Sequence, residues 1–386
     1  MLKLVREKGR IISLIIAVII VFSSWTIYYR LPFTWFFYLI LLFWIFTHFK
    51  YNPQKFGLFI IFLVLSLWYY RPADFSFSGG GFVKSFLISS LFLLDHKHQK
   101  QILEAIKDIL FILVLIGVLF HISGIVAGLR LPEITTVYID DRYYHVYPLI
   151  VYQYGLESIR FASIFDEPGY LGTIIGLLLL LEGFNLNNFK NIVLFIGGVF
   201  TLSLAFYIFA ALGFVTSSIY KKNFKTLLFS VIAVVVVILV LSYYFPDVLE
   251  FFLNRKEFNS LGGGEFEDSR GGIEAFNENI KIISSRPFLN QLFGNGFDAP
   301  LLLFKYNTVS IASSSIYRLI FQIGFLGVIY LILFILINVE KKYVPIVFAL
   351  AFILSLYQRP QIFEPMYIIM LAFVMKSSSR VKHLSA

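Results

Sequence analysis

The sequence predicts an all-α integral membrane protein that crosses the bilayer about twelve times and carries two large loops on one side. Three observations predict it: a large apolar excess, the length of the apolar runs, and the placement of the basic residues. Of 386 residues, 59% are hydrophobic and only 14% are charged, and the mean hydropathy is +0.81. A soluble domain is about 25% charged, so the polar surface here is too small to cover a water-soluble globule. Several apolar runs approach 20 residues, about the length that crosses ~30 Å of hydrocarbon. Soluble enzyme folds, nucleic-acid modules and disordered regulators are excluded. The alternating strands of an outer-membrane barrel are absent, so the membrane part is helical. The whole chain, 1–386, reads as one membrane domain in contact with the lipid bilayer.

The spans fall near 11–29, 31–48, 56–72, 78–94, 109–128, 169–184, 191–204, 205–220, 226–245, 314–338, 343–358 and 362–375. The basic segment Met1–Arg10 leads into Ile11–Tyr29, which is too long for a signal-peptide core and has no A-x-A site, so it reads as an uncleaved anchor. Residues 95–108 read as a short amphipathic helix on the inner surface. The stretch 191–220 is the ambiguous one, because as a single helix it would rise roughly 45 Å. Cytoplasmic segments are enriched in Lys and Arg, and that settles it. With 191–220 as a hairpin, Lys3–Arg10, Lys50, Lys55, Lys97–Lys107, Lys190, Lys221–Lys225, Lys341, Lys342 and Lys376–Lys382 all fall on one side. A single helix would place Lys221, Lys222 and Lys225 outside and invert every later span. Both chain ends are then cytoplasmic.

That topology puts the two long loops, 129–168 and 246–311, on the non-cytoplasmic face. Both are acidic overall, so their arginines do not serve the positive-inside bias. The first carries Arg130, Arg142 and Arg160, and the second Arg255, Arg270 and Arg286. Arg71, Arg318 and Arg359 lie at the outer ends of spans. A single outward arginine needs no more than a neighbouring carboxylate, but nine gathered on one face point to an anion site. The net charge of +9 follows this distribution and gives no reason to expect a nucleic-acid partner. Gly79–Gly81 and Gly262–Gly264 lack the Lys-Ser/Thr of a phosphate-binding loop and read as flexible hinges. Gly272–Ser285 has Ile273, Phe276, Ile280 and Ile283 at helical spacing. With no Cys, no D-x-D pair and no His cluster, neither a metal nor a cofactor is expected.

The densest polar cluster is Arg160-Phe-Ala-Ser-Ile-Phe-Asp-Glu-Pro-Gly-Tyr-Leu-Gly172, just before a run of leucines. Pro168 suits the first turn of a helix, and Asp166 and Glu167 then sit at the positive end of its dipole. An acidic N-cap accounts for them structurally. A carboxylate poised at a membrane boundary near Arg160 is the functional alternative, a candidate general base.

This segment resembles the R-x-x-(G/S)-x-F-x-(E)-P-(G/N)-x-x-G pattern of the Wzy-type O-antigen polymerases and their O-antigen ligase relatives. Arg270, the helix to Arg286-Pro287-Phe288-Leu289, and Gly294-Asn295-Gly296-Phe297 are similar to that family's R…(W)…P-L-x-G-x-G pattern. Ser313–Gly327 looks like the span that closes the second loop, and Thr201-Leu202-Ser203-Leu204-Ala205 falls where the family often has T-L-S-R-(G/A). The resemblance runs over about 30–375. It implies a membrane glycosyltransferase of the GT-C type, in the bacterial inner membrane with its site facing the periplasm. The implied substrates are polyprenyl-pyrophosphate-linked oligosaccharides, with a chain-length regulator protein as a further partner.

The residues suit that chemistry. Arginine forks bind phosphate bidentately and keep their charge, and they stabilise the charge that builds on the leaving pyrophosphate. Arg160 and Arg270 are the catalytic candidates, with Glu167 the first choice as base and Asp166 and His145 in reserve. Arg286, Arg318, Arg71, Asn295, His145 and Asp166 are candidates for substrate binding. Tyr138, Tyr143, Tyr144, Tyr147 and Tyr152 around His145 either stack on sugar faces or pack at the interface. Where the ligases carry His-Asn, this chain has Ile311-Ala312-Ser313-Ser314-Ser315, which ranks polymerase ahead of ligase. A flippase of lipid-linked sugar is the alternative from another class, but it would keep its polar residues inside the helices.

Overall fold

In the computed structural model, the described residues are 2–23, 34–48, 51–72, 78–127, 132–139, 142–147, 150–153, 160–165, 167–220, 280–297, 316–358 and 363–376. The expected span at 226–245, most of the second loop with Arg255, Gly262–Gly264 and Arg270, and Arg130, Asp166, Ile311–Ser315 and Arg359 lie outside them. So does the side chain of Arg142.

Helix starts follow local chemistry. Asn52 opens α3 (Pro53–Tyr70), its side chain accepting from Gln54 N at 3.0 Å and Lys55 N at 3.3 Å. Ser78 opens α4 (Gly79–Ser90) by accepting from Gly81 N at 3.1 Å, and Asn188 does the same for α7 (Phe189–Phe200). These bonds satisfy amides that a helix start leaves without partners. Gly79–Gly81 therefore form the first turn of a helix, where a flexible hinge was expected. The triplet suits that place because the chain opposite comes close: a Cβ on Gly81 would lie 2.8 Å from Tyr70 O.

Preceding these are α1 (Leu2–Ser23) and α2 (Thr34–His48). Beyond α4 and a 3-10 turn (Leu91–Leu93), α5 runs unbroken over His96–Ala127. The amphipathic stretch 95–108 and the apolar run after it are thus one long helix, not a surface connector plus a span. Next come α6 (Pro168–Leu181), α7 and α8 (Leu204–Tyr220). The chain does turn inside 191–220: Thr201 N bonds Gly197 O at 3.1 Å, Leu202 takes a left-handed φ of 49°, and α8 starts two residues later. After a helical stretch at 280–284, the end of the helix expected at Gly272–Ser285, come the short helix α9 (Phe288–Phe293), α10 (Ile316–Asn338), α11 (Tyr343–Gln358) and α12 (Pro365–Val374).

By length and composition, α3 and α10 could each cross a membrane. Helices α4, α6, α7 and α12 are apolar but have only 10 to 14 residues, roughly 15–21 Å at the α-helical rise. Of these, α6 is buried along nearly its whole length, Pro168–Leu180, and α12 along almost all of its own, whereas α4 and α7 expose one face.

From α3 to α8 and from α10 to α12 the helices alternate in direction, so their ends sort into two layers. In one layer Lys55 Nζ donates to Leu94 O, the His96 ring stacks on Phe373 at 4.5 Å, and Tyr220 stacks on Tyr343 at 4.5 Å. Lys107 pairs with Glu182 at 2.7 Å and Lys190 with Asp108 at 2.5 Å, tying α5 to α6 and α7 on the same side. The other layer holds the ends of α3 and α5, the starts of α4, α6 and α12, and the α7–α8 turn.

The first loop adds something the all-α expectation lacks. β1 (Thr135–Ile139), β2 (Arg142–Val146) and β3 (Val151–Gln153) form an antiparallel sheet, with Tyr138 opposite Tyr143 and His145 opposite Tyr152. Tyr144, Val146 and Val151 are buried. The sheet is fastened to the helices by Val151 N bonding Ser163 O at 2.7 Å and by Tyr152 Oη meeting His121 Nδ1 at 2.7 Å.

Candidate functional site

The segment 160–165 does not run over the surface. Phe161 through Phe165 are all buried, at 0–2% exposure. Ser163, at φ 52°, turns the chain so that it dips into the bundle between the α5 end and the α7–α8 turn. Phe161 N bonds Phe200 O at 3.0 Å, and Arg160 Nε bonds Thr201 O at 3.2 Å. Tyr207, in the first turn of α8, lies near enough to Arg160 to feel its charge. Gly172 closes the same joint from the other side, because a Cβ there would lie 2.7 Å from Thr201 Oγ1. The residues of the Arg160–Gly172 cluster and of the Thr201–Ala205 turn therefore meet in space.

Glu167 is the N-cap of α6 with Pro168 in the first turn, the placement expected from sequence. Its backbone carbonyl accepts from Tyr170 N, but its half-buried side chain makes no capping bond. The carboxylate thus lies at the positive end of the α6 dipole without capping it through its side chain. Tyr170, buried in the first turn, donates its hydroxyl to a second carboxylate, that of Glu364. Glu364 is itself the N-cap of α12, followed by Pro365. This second Glu-Pro was absent from the sequence expectations, although it carries the same signal as the first.

Glu364 lies beside an aromatic group that reaches the end of α3. Phe363 stacks on Tyr69 at 4.1 Å, and its carbonyl accepts from Tyr70 Oη at 3.2 Å. Tyr69 is hydrogen-bonded to the side chain of Gln322 and lies within electrostatic reach of both Arg318 and Glu364. Arg318 is thus brought to the same layer as Glu364.

Helix α10 is broken at Gly324 (φ 74°, ψ 173°). The carbonyls freed at the break are taken up by the second loop: Asn295 N donates to Phe321 O at 2.8 Å and Gly296 N to Gln322 O at 3.0 Å. Asn295 Nδ2 adds a bond to Phe321 O at 3.2 Å, and Gln322 Nε2 returns one to Phe297 O at 3.0 Å. Arg71 holds the other side, its Nη2 donating to Phe293 O at 2.8 Å and Gly294 O at 2.6 Å. Trp68 Nε1 joins it on Phe293 O at 2.7 Å. Arg286 lies over the Phe321 ring, 5.4 Å from its centre.

The sequence-derived candidates therefore fall into three groups. Arg160, Glu167 and Arg318 occupy the layer where the helix starts meet. Arg71 and Asn295, expected to bind substrate, direct these bonds to the backbone and hold the second loop onto α10. His145 sits apart on the sheet, where its Nδ1 lies 2.9 Å from Glu133 Oε1. Arg270 and Asp166 lie outside the described residues. No group of three His, Cys, Asp or Glu side chains suited to a metal occurs among the described residues.

No protein-family model, curated protein or solved structure matches this chain. The functional argument therefore rests on its own residues. The site offers fixed guanidinium groups, two carboxylates at helix starts and stacked aromatic rings in one layer, a set suited to an anionic group attached to sugar.

Proposed function

We propose that this chain is a polysaccharide polymerase: a membrane glycosyltransferase that moves a growing glycan from polyprenyl pyrophosphate onto a new lipid-linked repeat unit. The observation that carries the reading is that the Arg160–Gly172 segment meets the Thr201–Ala205 turn, while the Arg286–Phe297 segment joins the same end of the helices through Tyr69, Tyr70 and Phe363. These are the stretches whose sequences resemble the O-antigen polymerases. In this reading, with about twelve spans and both chain ends cytoplasmic, this end faces the periplasm of a bacterial inner membrane. The sorting of Lys55, Lys107, Lys190 and Lys342 away from Arg71, Arg160 and Arg318 supports that orientation.

In the reaction, Glu167 takes the proton of the acceptor hydroxyl. The acceptor oxygen forms the new glycosidic bond as the bond from the sugar to the lipid pyrophosphate breaks, and the electron pair leaves with the phosphate. Arg160, Arg318 and Arg270 stabilise the charge gathered there, and they do so more in the transition state than in the ground state. No metal is assigned to this step.

A strain lacking the gene tests the reading through a gel of its surface glycolipids. The expected result is lipid A core bearing one repeat unit, with the ladder restored by the wild-type gene. Arg160→Ala, Arg270→Ala and Glu167→Gln should each fail to restore it, at unchanged abundance in the membrane. Bare core in the deletion strain would assign the lost step to ligation or transport and overturn the reading. A wild-type ladder from all three variants would overturn the site.

A further inference from the structure

The site contains a carboxylate that the proposed reaction does not use. Glu364 stands at the start of α12 as Glu167 stands at the start of α6, each followed by proline and neither capping its helix with its side chain. The two differ in what holds them. Tyr170, three residues after Glu167 and only 2% exposed, donates its hydroxyl to Glu364 Oε2. That bond ties the second carboxylate to the first turn of the helix that the first carboxylate begins.

We infer that Glu364 is a specificity-determining residue that holds hydroxyl groups of the acceptor sugar, with Tyr170 positioning it; the inference rests on the polymerase reading. A buried phenol sets the orientation of the Glu364 carboxylate, and a carboxylate fixed in this way accepts hydrogen bonds from a ligand without paying the entropy of ordering itself. The half-buried state of Glu364 leaves it accessible from the end of the bundle, whereas Tyr170 beneath it is closed off. Its surroundings suit a carbohydrate. Phe363 and Tyr69 stack at 4.1 Å, and Tyr70 and Phe297 lie with ring centres 5.4 Å apart. Phe363 and Tyr69 are buried and form the floor, while the half-buried Tyr70 and Phe297 offer apolar surface to the C–H face of a sugar whose hydroxyls go to carboxylate and guanidinium groups. Arg318, within electrostatic reach of Tyr69 as Glu364 is, supplies the cation. The two Glu-Pro helix starts thus divide the work: Glu167 handles the proton, and Glu364 handles the identity and pose of the acceptor.

The test uses full-length protein in lipid nanodiscs and the lipid-linked repeat unit extracted from the deletion strain, which is both donor and acceptor. The released repeat-unit oligosaccharide, freed of its lipid by mild acid, serves as a separate binding probe. Glu364→Gln is expected to raise KM about tenfold, the cost of about one charge-assisted hydrogen bond, with kcat within about twofold of wild type. The Kd of the oligosaccharide should rise in parallel. Tyr170→Phe, which keeps the ring and removes only the donor, should raise KM by about threefold, and it decides the matter if Glu364→Gln does not accumulate. A fall in kcat at unchanged KM would make Glu364 part of the chemistry and overturn the inference, as would unchanged KM and Kd in both variants. If wild-type protein binds the oligosaccharide but does not extend the lipid-linked unit, the polymerase reading fails alone, and a weakened Kd in Glu364→Gln still supports the assignment to sugar binding. If wild-type protein neither binds nor extends, both fail.

Discussion

Thr136 Oγ1 and His145 Nδ1 meet the same carboxylate oxygen of Glu133, at 2.5 and 2.9 Å. The Thr136 hydroxyl and then the His145 ring hold the Glu133 carboxyl below the ordinary carboxylate range, because both contacts favour its charged form. A carboxylate with a depressed folded value contributes stability that is complete above the ordinary range and is lost as pH falls through the folded value. Amide exchange of β1 and β2, corrected for intrinsic rates, should therefore be flat between neutral pH and pH ~5 and lose protection below that. Glu133→Gln should exchange faster at neutral pH and show no further acid-dependent loss; matching pH profiles for variant and wild type would refute the pairing. In this pairing His145, named above as a reserve base, braces the first loop. Single residues were the scale at which sequence reasoning was most uneven. Arg160 and Glu167 could be found because they share one continuous stretch. Glu364 carries the same Glu-Pro signal but stands about two hundred residues away, and only the fold brings it to Tyr170. Arg71 and Asn295 were expected to bind substrate; each donates to backbone carbonyls that hold the second loop, and such partners leave no mark in sequence.

The break in α10 and the loop that fills it form one unit. Gly294 and Gly324 both adopt left-handed φ, 75° and 74°, and each backbone occupies the space where the other would carry a Cβ: Gly294 against Gln322 O, Gly324 against Leu292 O. Alanine at either place meets both a φ that L-residues avoid and a collision with rigid backbone. Gly324→Ala and Gly294→Ala should each destabilise the protein by about 3 kcal/mol or more, read as a lower unfolding midpoint in an SDS titration. The double variant should cost less than the sum of the two, because either change opens the same lock. Phe325→Ala, next to the break but 43% exposed, serves as the control and should change the midpoint little. Full additivity, or a wild-type midpoint in Gly324→Ala, would refute the lock. The start of α6 was readable beforehand because Glu167-Pro168 stops one pattern and begins another with known chemistry; the caps Asn52, Ser78 and Asn188 carry a similar signal but emerged only with the structure. The α10 break was not readable: a lone glycine in an apolar run costs a helix only about 1 kcal/mol, so the run 314–338 read as one span. The sheet escaped for a related reason, since each strand has only three to five residues, too few for an alternating pattern to stand out.

Across the whole molecule, the alternation of helix directions turns a charge count into geometry. The hairpin at 201–203 was inferred because a continuous helix would have put Lys221, Lys222 and Lys225 on the same face as the long loops. The turn at Thr201–Ser203, with Ser203 N bonding Thr201 Oγ1 at 3.2 Å, is where that count required it. Because α7 and α8 both return to the same layer, Arg160 can bond Thr201 O and the first loop can reach the bundle interior. A single helix there would have separated the Arg160 segment from Thr201. In the proposed membrane orientation, Tyr143, 56% exposed on the sheet, and Lys100, whose side chain is 63% exposed on α5, face opposite sides of the membrane. The chain has no cysteine, so single cysteines can be placed without background. Tyr143→Cys should react with a membrane-impermeant maleimide in intact spheroplasts, and Lys100→Cys only after the membrane is permeabilised. Reaction of both in intact spheroplasts would refute the alternation. Reaction of Lys100→Cys alone would keep the fold but turn the arginine-bearing layer toward the cytoplasm, where a periplasmic polymerisation site could not operate.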